Sequence, residues 1–153
     1  MGFDLSGVKP RSTKGKDFRN NCWWWRPLWS YVTTHCGDFL TLKDQEMGEW
    51  NEGRLIPEEK AKRIAIRLEH LIKQGSVKAH EIEYKEIQEN LSDEECYLCH
   101  GTGQRNDMVV LNGCNVCHGS GKVRPKICDY PFLESNVKEF AEFCRYSGGF
   151  KIW

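Results

Sequence analysis

Two short stretches can do chemistry by type and spacing alone: CYLCHGTG at 96–103 and CNVCHGSG at 114–121. Each reads C-x2-C-x-G-x-G. Two residues between cysteines allow both sulfurs to face one point from a tight turn, and the glycines that follow accept the positive φ that turns backbone amides toward thiolates. Two such turns supply four sulfurs, the complete tetrahedral shell of a structural zinc ion with no position left open. The expected ligands are Cys96, Cys99, Cys114 and Cys117, holding one zinc per chain. Fourteen residues separate the two pairs, one short of the usual range. His100 and His118 follow the second cysteine of each unit and are alternative ligands, but four thiolates already fill the shell. Between the pairs, Met108 to Leu111 followed by Asn112-Gly113 suggests a β-hairpin arm.

These repeats resemble the cysteine-rich zinc repeat of the DnaJ chaperone family, in which C-x-x-C-x-G-x-G units pair around zinc. The resemblance covers residues 96–121 and implies the same four cysteines as ligands. Family members carry four repeats and a J domain with a His-Pro-Asp triplet; this chain has two repeats and no such triplet, so the resemblance does not imply co-chaperone activity. The flanks FRNNCWWWRPLW (18–29) and EFAEFCRYSGGFKIW (139–153) look similar to small proteins of phages and bacteria, a likeness that carries no activity with it.

A second constellation is aromatic. Trp23, Trp24, Trp25 and Trp29 fall within seven residues. At about 100° per residue, three consecutive tryptophans cannot share one helical face, so at least one must be partly exposed or line a cleft. Trp25 and Trp29, four apart, are the expected core pair. Trp23 and Trp24, with Arg19, Asn20, Asn21 and Arg26 as hydrogen-bonding neighbours, form a candidate cleft for a nucleotide or another small planar ligand. Cys22, His35 and Cys36 could contribute to another metal site, though no fourth ligand is evident; buried thiols are the plainer reading for them and for Cys128 and Cys144. No metalloprotease, deaminase, nucleophile-elbow or P-loop pattern occurs, and His80, Glu81 and Glu83 lie on a charged helix, so no enzyme is expected.

These residues need elements to hold them. Residues 9–19 hold five basic residues and one acid among Pro, Gly, Ser and Thr, and 1–19 reads as a basic tail or loop. Pro27 fits the first position of a helix over 27–36, and Leu42 to Trp50 reads as a short helix stopped by Asn51-Glu52-Gly53. A helix from Pro57 to Gln74 presents Ala61, Ile64, Ala65, Leu68, Leu71 and Ile72. Another from Ser76 to Asn90 places Val77, His80, Tyr84, Ile87 and Leu91 at heptad-like spacing, and the short Gly75-Ser76 joint suggests an antiparallel pair of the two. Residues 81–95 carry seven acids and one lysine, the pattern of a solvated helix face and linker, with an acidic docking surface as the alternative. A last helix, 136–146, has Asn136 and Glu139 at capping-box spacing, and Phe150 to Trp153 reads as a docked terminal strand.

The whole is thus expected to be mainly α, of the α+β class. It reads as one domain over 1–153: a helical part with the tryptophan cluster over 20–92, a zinc insert over 93–127, and a C-terminal helix and strand over 128–153. With 153 residues and a net charge of zero, it is neither disordered nor built to coat nucleic acid. No secretory signal or membrane span is evident, and paired cysteines of this kind belong to a reducing compartment, so a cytoplasmic chain is expected. The reading that follows is a non-enzymatic adaptor that presents a zinc arm to a protein partner. A small-ligand or nucleotide-binding protein using the Trp23–Trp29 region, such as a phage protein that sequesters a host signal, is the alternative, and weak nucleic-acid binding through the basic residues the second.

Overall fold

A computed structural model of the chain describes residues 2–105 and 113–153. The arm expected at Met108 to Asn112 lies outside them. The fold is mainly α with small antiparallel sheets, and the chain divides into two compact units, Met1–Lys85 with Tyr130–Trp153, and Glu86–Asp129.

In the first unit, the segment read as a basic tail is structural. Strand β1 (Gly2–Gly7) pairs antiparallel with β2 (Asp17–Asn21), Leu5 opposite Phe18. The alternation that marks a half-buried strand is there in Phe3 and Leu5, which are buried while Asp4 is not. What composition cannot show is the partner: β1 also pairs with the C-terminal strand β6 (Phe150–Ile152), Leu5 opposite Ile152. β6 pairs in turn with β3 (Arg54–Ile56), giving the order β2-β1-β6-β3. The loop between β1 and β2 is tied down by backbone bonds from Val8, Lys9 and Arg11 to Gly149, Ser147 and Tyr146.

Helix α1 (Cys22–Cys36) begins five residues before Pro27, because the Asn21 side chain accepts from the Trp24 amide and caps the helix there. Pro27 therefore lies inside the helix and leaves the Trp23 carbonyl without its usual donor. Trp25 and Trp29 stack at 5.2 Å, with Phe3 on the other side of Trp25 at 5.3 Å. Their indole N–H groups donate to the Gly48 and Gln45 carbonyls of α2 (Leu42–Glu49), so both rings are buried with their polar atoms satisfied.

α2 opens with a capping box between Thr41 and Asp44. Asp44 is completely buried and also takes Arg54 of β3, through both Nε and a terminal nitrogen, and Lys60 of α3 (Glu58–Lys73). This one carboxylate pins three elements.

α3 does not form the expected pair with α4 (Ser76–Asn90); it packs along α5 (Glu134–Tyr146). Ala61, Ile64, Ala65 and Leu68 of α3 and Val137, Phe140, Ala141 and Cys144 of α5 are all buried in one core, and Arg145 pairs with Glu69 across it. α4 instead is covered at Val77, and at His80 and Tyr84 by Phe132. α5 starts two residues earlier than expected, and its capping box does not form. Glu81 of α4 accepts the Glu134 amide at 2.6 Å and supplies the missing anion at that end. Asn136 faces Asn20 and the Trp24 carbonyl instead.

In the second unit, β4 (Glu94–Glu95) and β5 (Lys122–Val123) form a two-stranded antiparallel pair on either side of the cysteine turns.

Candidate metal centre

The two C-x2-C-x-G-x-G units fold into turns that repeat each other bond for bond. Thr102 donates from its amide and hydroxyl to the Cys99 carbonyl at 3.1 and 2.7 Å; Ser120 does the same to Cys117 at 3.1 and 2.8 Å. The Gly103 amide points at Cys99 Sγ from 3.2 Å and the Gly121 amide at Cys117 Sγ from 3.3 Å. His100 and His118 have φ of 50° and 51°. The turns close on each other at their glycines: a Cβ on Gly103 would lie 2.3 Å from the Gly119 carbonyl oxygen, and one on Gly121 2.2 Å from that of Gly101. The repeated glycine is thus a steric requirement of two backbones in contact.

This closure gathers Cys96, Cys99, Cys114 and Cys117, all buried, with their sulfurs within 4.8 Å of one another. Cys96 and Cys114 are 3.9 Å apart and Cys99 and Cys117 3.7 Å. Sulfurs at the corners of a tetrahedron with metal–sulfur bonds of about 2.3 Å are about 3.8 Å apart. These two separations match that value, so the donor set is of the size and kind that holds a metal ion. Leu98, Val116 and Val123 pack around the sulfurs and limit access of water.

The electrostatics pull two of the thiols, Cys117 and Cys96, toward the thiolate. Burial by itself pushes the Cys117 thiol up, but the amides of Gly121 and Gly119 and the facing sulfurs outweigh it and bring the group down to about 6. Cys96 is also lowered; the amides of Cys99 and Leu98 outweigh its burial. Cys99 is raised, by burial and then by the three sulfurs it faces. Four thiolates in one buried site repel each other, and a cation among them removes the conflict.

His100 and His118 are exposed and stand outside this set. Among the described residues, no other group of three or more potential ligands converges. Cys22 and Cys36 stand at opposite ends of α1, about 21 Å apart at 1.5 Å per residue, so they share no site. Cys36 and Cys144 are core thiols: burial pushes Cys36 up to about 12 and Cys144 well above its ordinary value.

The cleft residues are distributed differently. Trp25 and Trp29 are 0% and 1% exposed, whereas Trp23 is 37% exposed with its ring 4.8 Å from that of Tyr130. Trp24 is half-buried and Arg26 exposed. Arg19 pairs with Asp4, Asn20 donates to Asn136, and Asn21 caps α1. Three of the six polar and aromatic groups are therefore occupied by structural bonds.

Sequence reasoning missed the buried Asp44 cluster. Its only signal is T-x-x-D at 41–44, the spacing of a capping box, and nothing local marks Arg54 and Lys60 as its partners.

Compared with protein-family models, curated proteins and solved structures, the chain matches none. The likeness to the DnaJ repeat rests on residues 96–121 alone.

Proposed function

We propose that the chain is a non-enzymatic zinc-binding adaptor, in which zinc on Cys96, Cys99, Cys114 and Cys117 rigidifies the 86–129 unit for recognition by a protein partner. The observation that carries this reading is the closed set of four buried sulfurs, each pair held by an amide from its own turn. With every corner taken by sulfur, a zinc ion has no position for a substrate or an activated water, so its contribution is to folding. Zinc is the metal this chemistry favours, since soft thiolates in tetrahedral array select it over harder cations. Thiolate ligation fits a reducing compartment such as the cytoplasm. No helix among the described residues is long and apolar enough to cross a membrane.

Nucleic acid is a weak, salt-sensitive ligand at most in this reading. Of the basic residues at 9–19, Arg11, Lys14 and Arg19 already pair with Glu58, Glu142 and Asp4. The test uses a photo-crosslinking amino acid in place of Tyr97, whose side chain is 69% exposed beside Cys96. In the host, it should give a discrete protein adduct that disappears when Cys96→Ser and Cys114→Ser are combined. No adduct, or one unchanged by loss of the cysteines, refutes the adaptor.

A further inference from the structure

Helix α4 repeats an apolar position along one face at Val77, His80, Tyr84, Ile87 and Leu91, the last just past its end. The first three are covered in the first unit. Ile87 and Leu91, in the second, are not: they are 55% and 39% exposed. Gln88 donates to the carbonyl of Ile127 at 2.6 Å, which sets this residue, itself 46% exposed, beside the same turns. Three large aliphatic side chains thus face water within one small unit, a pattern that marks interaction sites when it is contiguous. The α4 side of this surface is acidic, while Ile127 follows the basic run Lys122, Arg124 and Lys126. Residues 86–95 hold Glu86, Glu89, Asp93, Glu94 and Glu95 and no base; Arg124 lies within electrostatic reach of Asp93 and Glu89, and Lys122 stands opposite Glu95 across the β4–β5 pair.

We propose that this acid-rimmed apolar stripe docks a basic amphipathic helical segment of the partner protein. The inference rests on the adaptor reading and names the chemistry of its partner. An amphipathic helix with aliphatic residues at i, i+3 and i+4 and Lys or Arg on its flanks matches both features: the aliphatics cover Ile87, Leu91 and Ile127, and the cations meet Glu86, Asp93 and Glu94. The charge argues against the other occupants. A second copy would bring an equally acidic stripe against this one, and anionic membranes and nucleic acids are repelled in the same way. The chain's own basic segment is held elsewhere, since its backbone is bonded to residues 146–149.

The test titrates the full-length, metal-loaded protein with a synthetic helical peptide of Leu and Lys in amphipathic order. A scrambled peptide of identical composition serves as the control, with anisotropy as the readout. The ordered peptide should bind about tenfold tighter than the scrambled one. Ile87→Ser with Leu91→Ser should remove that preference, and Glu86→Lys with Asp93→Lys should weaken both peptides. Ile82→Ser, 52% exposed on the opposite face of α4, should change nothing. Equal binding of the two peptides, or a preference that survives the Ile87/Leu91 change, overturns the proposal. So does concentration-dependent dimerisation that Ile87→Ser abolishes, because the stripe then serves a second copy. A zinc-dependent Tyr97 adduct that persists after the Ile87/Leu91 change leaves the adaptor standing and refutes the docking surface alone.

Discussion

Replacing Gly103 by Ala tests the link between backbone closure and metal affinity. The new Cβ would stand 2.3 Å from the Gly119 carbonyl oxygen, at a φ of +72°. That neighbour is backbone, so the opposing turn must move. The left-handed conformation adds roughly 1–2 kcal/mol of strain for a residue with a Cβ. Displacement of the amide that points at Cys99 Sγ from 3.2 Å removes a charge-assisted bond of about 1.5–3 kcal/mol. Groups that orient metal ligands in this way typically govern about 10- to 100-fold in affinity, or about 1.4–2.8 kcal/mol. A competition titration against a chromogenic zinc chelator should therefore show a loss of that size. Gly121→Ala, with its 2.2 Å approach to Gly101, should match it. Gly75→Ala has a similar φ of +78° and nothing within 4 Å of its Cβ; it bears the strain and should leave zinc affinity unchanged. An affinity for Gly103→Ala within about threefold of the parent protein would refute the reasoning, because amide orientation then contributes little.

Two further substitutions probe the first unit. Asp44→Ala strands Arg54 and Lys60 around a buried void and should lower stability by about 3–5 kcal/mol in urea unfolding followed by tryptophan fluorescence. Burial raises the Asp44 carboxyl, but Lys60, Arg54 and Thr41 outweigh it and hold the group well below the usual carboxylate range. Its contribution is therefore full above the unfolded value of about 4 and is lost as pH falls below it toward the folded one. The parent should lose stability over that interval faster than Asp44→Ala, and parallel profiles would contradict this. Trp25→Ala should cost about 3–5 kcal/mol, while Trp23→Ala, on a ring 37% exposed, should cost under about 1 kcal/mol. Equal urea midpoints for the two variants would contradict the division of the cluster into core and surface.

What the sequence makes legible here is local. The cysteine turns repeat within eight residues each, and Gly75 separates α3 from α4, so the joint between the two helices is read where it falls and α3 to within one residue at each end. The separation of Trp25 and Trp29 from Trp23 likewise follows from helical angle alone. The misreadings concern distant pairs. β1 is hidden because it needs β6, almost the whole chain away, and the basic residues that follow it give the composition of a loop. α3 chooses α5 over its neighbour α4 because α5 offers Val137, Phe140 and Ala141 as a continuous apolar face, whereas α4 is mostly polar. The start of α1 turns on Asn21, a cap that outranks the preference of Pro27 for a first turn. The four-cysteine cluster is legible because its sulfurs arrive in two matching turns; the Asp44 cluster is not, because its cations come from two later elements.

Native mass spectrometry with metal analysis of the protein purified from its host under reducing conditions tests the central claim most directly. The account predicts one zinc per chain, unchanged by Cys22→Ser or Cys128→Ser and abolished by Cys96→Ser with Cys114→Ser. A chelator should loosen residues 95–105 and 113–122 in hydrogen exchange while α1, α3 and α5 stay protected. No zinc, two zinc ions per chain, or one that survives the loss of Cys96 and Cys114 would contradict it.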